Sequence, residues 1–136
     1  MNKKEIIAFL FGGKARFTLQ SKKTGKSLTF RATRHPHDDK NAARVWTGTA
    51  GGWLGTIKKN MWGNVLYWYP RKETILQEHI IAFGWFVNHM ENKQIEFMHC
   101  GACAVCGRRL TDADSIKRGI GPTCYAAMMA TEELPF

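Results

Sequence analysis

Four cysteines crowd the last third of this chain, and their spacing restricts what it can fold into more than any other feature. Cys103 and Cys106 form a C-x-x-C pair, seventeen residues separate Cys106 from Cys124, and His99 and Cys100 stand just upstream. Ligands so spaced suit tetrahedral zinc. A zinc knuckle needs two thiolates projecting from a tight turn, and a glycine directly after the second cysteine lets backbone N–H groups point at sulfur. Cys103-Ala104-Val105-Cys106-Gly107 meets that need. Cys100-Gly101-Ala102-Cys103 has the same spacing, but Ala104 follows it, so the downstream pair is the better knuckle.

The residues between the knuckle and Cys124 read as a connector. Thr111, with Asp114 three residues on, is expected to cap a short helix that Gly119 ends in a left-handed conformation. Pro122 suits a first helical position, so a second helix is predicted through Tyr125 to Met129 with Cys124 in its opening turn. Unpaired N–H groups and the positive end of the helix dipole are expected to lower the Cys124 thiol pKa there. Knuckle, connector and a ligand on a helix N-terminus make the plan of a treble-clef zinc module.

The charge sits elsewhere. Residues 1–72 hold fifteen Lys/Arg against three Asp/Glu, a net of +12, whereas residues 73–136 hold five against eight, a net of −3. A composition 44% hydrophobic and 23% charged over 136 residues is that of one globular core and not of a disordered chain. No apolar run approaches a membrane span, and the short run Ile6 to Phe11 lacks the cleavage site of a secretory signal. The expected location is therefore cytoplasmic, where reducing conditions make clustered cysteines metal thiolates rather than disulfides.

Periodicity supplies the rest of the architecture. A short helix is predicted over Asn2 to Leu10, and Ala15 to Arg34 then alternates with period two around a turn at Thr24-Gly25-Lys26. Phe17, Leu19, Leu28, Phe30 and Ala32 share one face of this hairpin, with Arg16, Thr18, Gln20, Thr29, Arg31 and Thr33 on the other. Arg44 to Thr49, Trp53 to Ile57 and Asn64 to Tyr69 are further strand candidates, giving a five-stranded antiparallel sheet or a small half-barrel. Leu76, Ile80, Phe83, Val87 and Met90 then mark one long helix, Thr74 to about Glu91, that covers the sheet. Gly84 within the stripe points to close approach of the helix to the sheet or to the neighbours of Trp85. Ile95 to Met98 can form another strand leading into the cysteines. The fold class is α+β, a basic antiparallel sheet covered by one long helix, with a basic domain over 1–98 and a treble-clef-like zinc module over 99–136 packed on it.

The run Cys103-x-x-Cys106-Gly107-Arg108-x-Leu110-Thr111, continued by Ser115-Ile116-x-x-Gly119-Ile120-Gly121-Pro122-x-Cys124, resembles the C-terminal module of an uncharacterised family of phage and actinobacterial proteins, a domain of unknown function. The resemblance extends upstream through Phe17-Thr18-Leu19 with Lys23-Thr24-Gly25, through Leu54-Gly55-Thr56-Ile57, and through Phe83 to Phe86. The zinc module is its most specific part. It implies a histidine ligand four residues before the first knuckle cysteine, which is His99 here, with Cys100 as the alternative fourth ligand. Two consecutive residues rarely both bind one ion in a closed tetrahedral site. Ala113 stands where the family's connector has proline, a departure that touches the turn and not a ligand. The family carries no established activity, so the resemblance bears on fold and metal more than on function.

Aromatic and cationic residues are interleaved in the basic half. Arg16, Arg31, Arg44, Lys58 and Lys59, with Trp53 or Trp68 to stack, supply what a nucleic-acid surface needs: cations for phosphates and flat rings for bases. At least half of these aromatics must be core, since Val65, Tyr67 and Tyr69 share one strand face and Leu66 and Trp68 the other. The charge excess is more than solubility requires and attracts polyanions. The leading expectation is a small zinc-binding, phage-type accessory protein that binds nucleic acid, acting in the host cell interior. An alternative is a protein-interaction module, a phage factor that binds or inhibits a host enzyme, with exposed aromatics as anchors. A minor alternative is a treble-clef nuclease, suggested only by His35, His37, Asp38 and Asp39; Pro36 and paired aspartates equally make an exposed loop. Thr47 to Gly52 is no Walker loop, because no Gly-Lys-Ser/Thr follows. Structural zinc closes its site with four protein ligands, so an enzyme is not expected.

Overall fold

Apolar residues at every second position build the centre of the molecule, which the computed structural model describes over residues 1–38, 40–49, 52–72 and 76–133. β1 (Lys14–Ser21) and β2 (Ser27–Arg34) form the predicted hairpin, with Ala15, Phe17 and Leu19 opposite Ala32, Phe30 and Leu28. Gly25 closes its turn at φ +74. β3 (Ala42–Thr47), β4 (Trp53–Lys59) and β5 (Leu66–Pro70) continue the antiparallel meander. β3 begins before the predicted Arg44 because Ala42 and Ala43 are both buried and pair with Lys58 and Ile57. Between Val45 and Trp46 the register to β4 shifts by a bulge, which turns Leu54 fully into the core.

The further strand expected at Ile95 to Met98 forms, and it joins the five predicted strands as the sixth of one sheet. β6 (Ile95–His99) pairs antiparallel with β1, giving the order β5-β4-β3-β2-β1-β6. Three aromatics make that edge worth covering: the Phe97 ring stacks on Phe17 at 5.0 Å and on Phe86 at 5.5 Å.

One face of the sheet is covered by the short N-terminal helix that the sequence predicts and by a second helix shorter than the long one predicted. α1 (Lys3–Leu10) is held by a capping box between Asn2 and Glu5 and buries Ile6, Ile7, Phe9 and Leu10. α2 (Gln77–Asn88) buries Ile80, Phe83, Phe86 and Val87. It stops short of Glu91 because His89 leaves helical geometry, its ring stacked on Trp85 at 4.1 Å and its Nδ1 2.8 Å from the Trp85 carbonyl oxygen. The predicted start at Thr74 lies outside the described residues. Gly84 sits where expected: a Cβ there would lie 3.2 Å from Trp68, whose indole packs edge-on against Phe83 at 4.7 Å.

A single apolar cluster runs from the sheet and helices into Cys103, Ala104, Leu110 and Ile120. No helix among the described residues is long and apolar enough to cross a membrane.

Candidate functional site

β6 delivers the chain directly into the cysteine turn. Ala102 and Arg109 form a β-bridge, the Cys103 N–H donates to the Arg108 carbonyl at 2.8 Å, and Gly107, at φ +79, returns its N–H to the Cys103 carbonyl at 2.9 Å. Only glycine takes that backbone conformation freely, so Gly107 sets the turn that brings Cys106 beside Cys103. A short helix, α3 (Ala113–Arg118), follows. Its cap is Asp112 and not the predicted Thr111: the backbone is extended at Asp112, and the carboxylate accepts the Ser115 N–H at 3.0 Å. Gly119 ends α3 in the left-handed conformation as predicted, at φ +75. Gly121 then gives its carbonyl to the Tyr125 N–H at 2.9 Å, opening α4 (Pro122–Glu133) with Cys124 in the first turn.

The sulfurs of Cys103, Cys106 and Cys124 all lie within 4.8 Å of one another. Tetrahedral zinc with Zn–S bonds of about 2.3 Å would hold two sulfurs roughly 3.8 Å apart, so a small contraction closes the three on one ion. Burial pushes the Cys103 thiol up, but N–H groups of Gly121, Cys106 and Val105 and the Cys106 thiol together outweigh it and bring the pKa down to about 7. Cys124 goes the opposite way from the sequence expectation. Burial, and then the neighbouring Cys106 and Cys103 sulfurs, raise it to about 11, which overrides the helix end. Three thiols this close cannot all ionise unless a cation joins them, and that makes the donor set fit a metal.

Neither predicted fourth ligand stands in the cluster. The His99 Nδ1 accepts the Gly101 N–H at 2.9 Å and the Nε2 faces the Ile116 carbonyl oxygen, so both ring nitrogens are engaged. His99 thus ties β6 to α3. Cys100 is exposed, its N–H donating to the Arg16 carbonyl at 3.1 Å. The sulfurs border a cleft of about 440 Å³ that Arg108, Arg109, Asp112 and Thr123 also line.

Residues 96–128 match the family of unknown function DUF6011. The matched segment runs from β6 into α4 and contains all three clustered cysteines, with His99 and Cys100. No curated protein and no solved structure matches the chain.

The second candidate surface is the uncovered face of the sheet. Of the seven Lys/Arg in strands β1 to β5, Lys14, Arg16, Arg31, Arg44 and Lys58 alternate onto this face, and these five strands hold no Asp or Glu; Glu96 of β6, opposite Gln20, is the acid at its edge. Cross-strand pairing lines up Arg16, Arg31, Trp46 and Trp53, a row spanning roughly 14 Å. A second row runs from Arg44 through Thr56 to Tyr69, and Lys58 pairs with Tyr67. Guanidiniums cover the indoles: Arg31 lies 4.9 Å from the Trp46 centroid, and Arg44 and Arg71 lie 4.6 and 4.4 Å from that of Trp53. Tyr67 and Tyr69 are about half exposed.

Of the seven predicted binding residues, Arg16, Arg31, Arg44, Lys58 and Trp53 share this face. Lys59 and Trp68 do not. Lys59 pairs with Leu66 and reaches over the Phe11 ring at 4.8 Å, and Trp68 packs under α2. Period two forbids consecutive residues from sharing a face, which already separates Lys58 from Lys59. Trp46, Tyr67, Tyr69 and Arg71 were missed as face residues; the i, i+2 spacings of Arg44 with Trp46 and of Tyr67 with Tyr69 are the signal that identifies three of them. In the loop at 35–38, His35 Nδ1 accepts the His37 N–H at 3.1 Å and Asp38 accepts the Asn41 N–H at 3.2 Å, so these side chains brace their own turn. Asp39 lies outside the described residues.

Proposed function

We propose that this protein binds nucleic acid through the uncovered sheet face, with its C-terminal cysteines holding a structural zinc in a treble-clef arrangement. The reading rests above all on the transverse row Arg16, Arg31, Trp46, Trp53 within five strands that carry no acid. Phosphates take the cations, and bases lie on Tyr67 and Tyr69. Trp46 and Trp53 serve a different purpose from the stacking first expected of tryptophan here. They carry guanidiniums on their rings and so hold Arg31, Arg44 and Arg71 at the surface, at a lower entropic cost of binding. Zinc, when bound, supplies cohesion to a segment with little core of its own, and the fourth ligand comes from His99 or Cys100. On this reading the protein works in a reducing cell interior, as the small phage-type accessory protein that the sequence resemblance implies.

Titration of fluorescent single- and double-stranded oligonucleotides across a salt series tests this. Log K should fall linearly with log salt, and each of Arg31→Ala and Lys58→Ala should reduce the slope by about 0.7 to 0.9. Absence of binding at micromolar oligonucleotide and low salt would remove the reading and leave a protein partner as the occupant of the face.

A further inference from the structure

The turn between β4 and β5 carries the two most exposed large apolar side chains among the described residues, Met61 at 83% and Trp62 at 71%. It is not a loose loop. The Asn60 carboxamide oxygen accepts the N–H groups of Asn64 and Val65 at 3.0 and 3.2 Å, and its Nδ2 donates to Asn64 Oδ1 at 2.6 Å. The Gly63 N–H closes on the Asn60 carbonyl at 3.1 Å, and Gly63, at φ +68, supplies the reversal. A braced turn that holds a tryptophan in water is already arranged for contact, so little conformational entropy remains to be lost on binding.

The surroundings of the tip indicate the chemistry of what it meets. Lys4, Lys40 and Lys59 line the cleft beside Met61 and Trp62, over a floor that includes Phe11 and Met128, and Lys58 and Tyr67 of the open face lie on the strands that the turn joins. A flat apolar ring rimmed by cations matches a base step flanked by phosphates. At the projecting tip only Met61 and Trp62 are apolar, in a turn closed by Asn60 and Asn64; that is much less than the apolar face of a membrane-embedded helix.

We infer that Met61 and Trp62 form a wedge that stacks Trp62 onto the terminal base pair where a duplex opens into a single strand, while Lys40 and Lys58 hold the adjoining phosphates. This rests on the nucleic-acid reading of the sheet face and adds a substrate class to it: junctions between double and single strand, in preference to continuous duplex. Trp62 sits at the strand boundary, and the emerging single strand runs along Tyr67 and Tyr69.

The test compares wild type, Trp62→Ala and Trp62→Phe on three DNAs of equal length: blunt duplex, single strand, and a duplex with a single-stranded overhang carrying 2-aminopurine at the boundary. Wild type should bind the overhang substrate about five- to hundredfold more tightly than blunt duplex and change the 2-aminopurine fluorescence. Trp62→Ala should lose both the preference and the fluorescence change at an unaltered salt slope, and Trp62→Phe should keep most of each. Equal wild-type binding to all three DNAs, unaffected by Trp62→Ala, overturns the wedge and leaves the sheet-face reading standing. No binding to any DNA at low salt overturns both. Phosphatidylserine vesicles that blue-shift the emission of wild type but not of Trp62→Phe, with DNA binding indifferent to Trp62, overturn the wedge in favour of a lipid surface.

Discussion

The Gly121 N–H donates to Cys103 Sγ across 3.2 Å, joining the cysteine turn to the start of α4 through the sulfur itself. A thiolate that accepts backbone N–H groups is oriented and partly neutralised in advance of a metal. Purified without chelators, the protein should carry one zinc per chain by elemental analysis, and chelation should unfold the region around residues 99–130. Cys103→Ser, Cys106→Ser and Cys124→Ser should each lose the metal. For His99 to complete the site, its Nδ1 must exchange the Gly101 N–H for the metal while Nε2 keeps the Ile116 carbonyl; on that reading His99→Ala should lose the metal and Cys100→Ser should not, and the reverse pair of results transfers the fourth ligand to Cys100. No zinc in the folded wild type, with every thiol titrating freely, sinks the metal site.

Gly119 stands at φ +75 against α1, and a side chain there would overlap the Phe9 ring. Gly119→Ala combines the left-handed penalty with that overlap and should cost about 2 to 4 kcal/mol by urea denaturation. A loss below about 0.5 kcal/mol would mean that α1 and the end of α3 are not in contact in solution.

Lys58 and Lys59 are neighbours in sequence with opposite environments. Lys58→Ala should lower the salt slope of oligonucleotide binding and cost at most about 0.5 kcal/mol of stability, because its Nζ lies 5.4 Å from the centre of the exposed Tyr69 ring. Lys59→Ala should lower the slope less than Lys58→Ala does and cost about 0.5 to 1 kcal/mol through its contact with Phe11. Trp68→Ala should destabilise by about 3 kcal/mol by opening a cavity under α2. Equal binding effects from the two lysines would contradict the register of β4.

His79 lies beside the Phe30 ring, 5.3 Å between centroids, and burial holds its pKa below the ordinary 6.5, with Glu78 raising it and Lys26 lowering it. A depressed imidazole is neutral in the folded protein at a pH where the unfolded chain already binds a proton. Stability from this group is therefore complete above pH 6.5 and declines as pH falls through that value toward the folded pKa. Thermal melts of wild type and His79→Gln between pH 7.5 and 5, a range set by the ordinary histidine pKa of about 6.5, should converge toward the acid end. Parallel curves would show that His79 does not titrate differently on folding.

What could be read from the sequence was what neighbours along the chain decide. Alternation in 15–34 set the hairpin and its faces, Gly119 and Pro122 marked the end of α3 and the start of α4, and the cysteine spacing anticipated three sulfurs converging. Each is a local matter of backbone preference or period, settled within a few residues. The tertiary structure alone decided the rest. β6 lies beside β1 because Phe97 meets Phe17, far away in sequence, as well as Phe86 of the preceding helix. Trp68 went inward and Tyr69 outward because Gly84 left room for an indole against α2, and His99 engaged the Ile116 carbonyl because α3 folds back over β6. The Cys124 thiol rose where a helix end alone would have lowered it, because folding buries it and then sets the Cys106 and Cys103 sulfurs beside it. Period and propensity act within a segment, whereas register, burial and the field at a site are sums over residues that only the folded chain brings together.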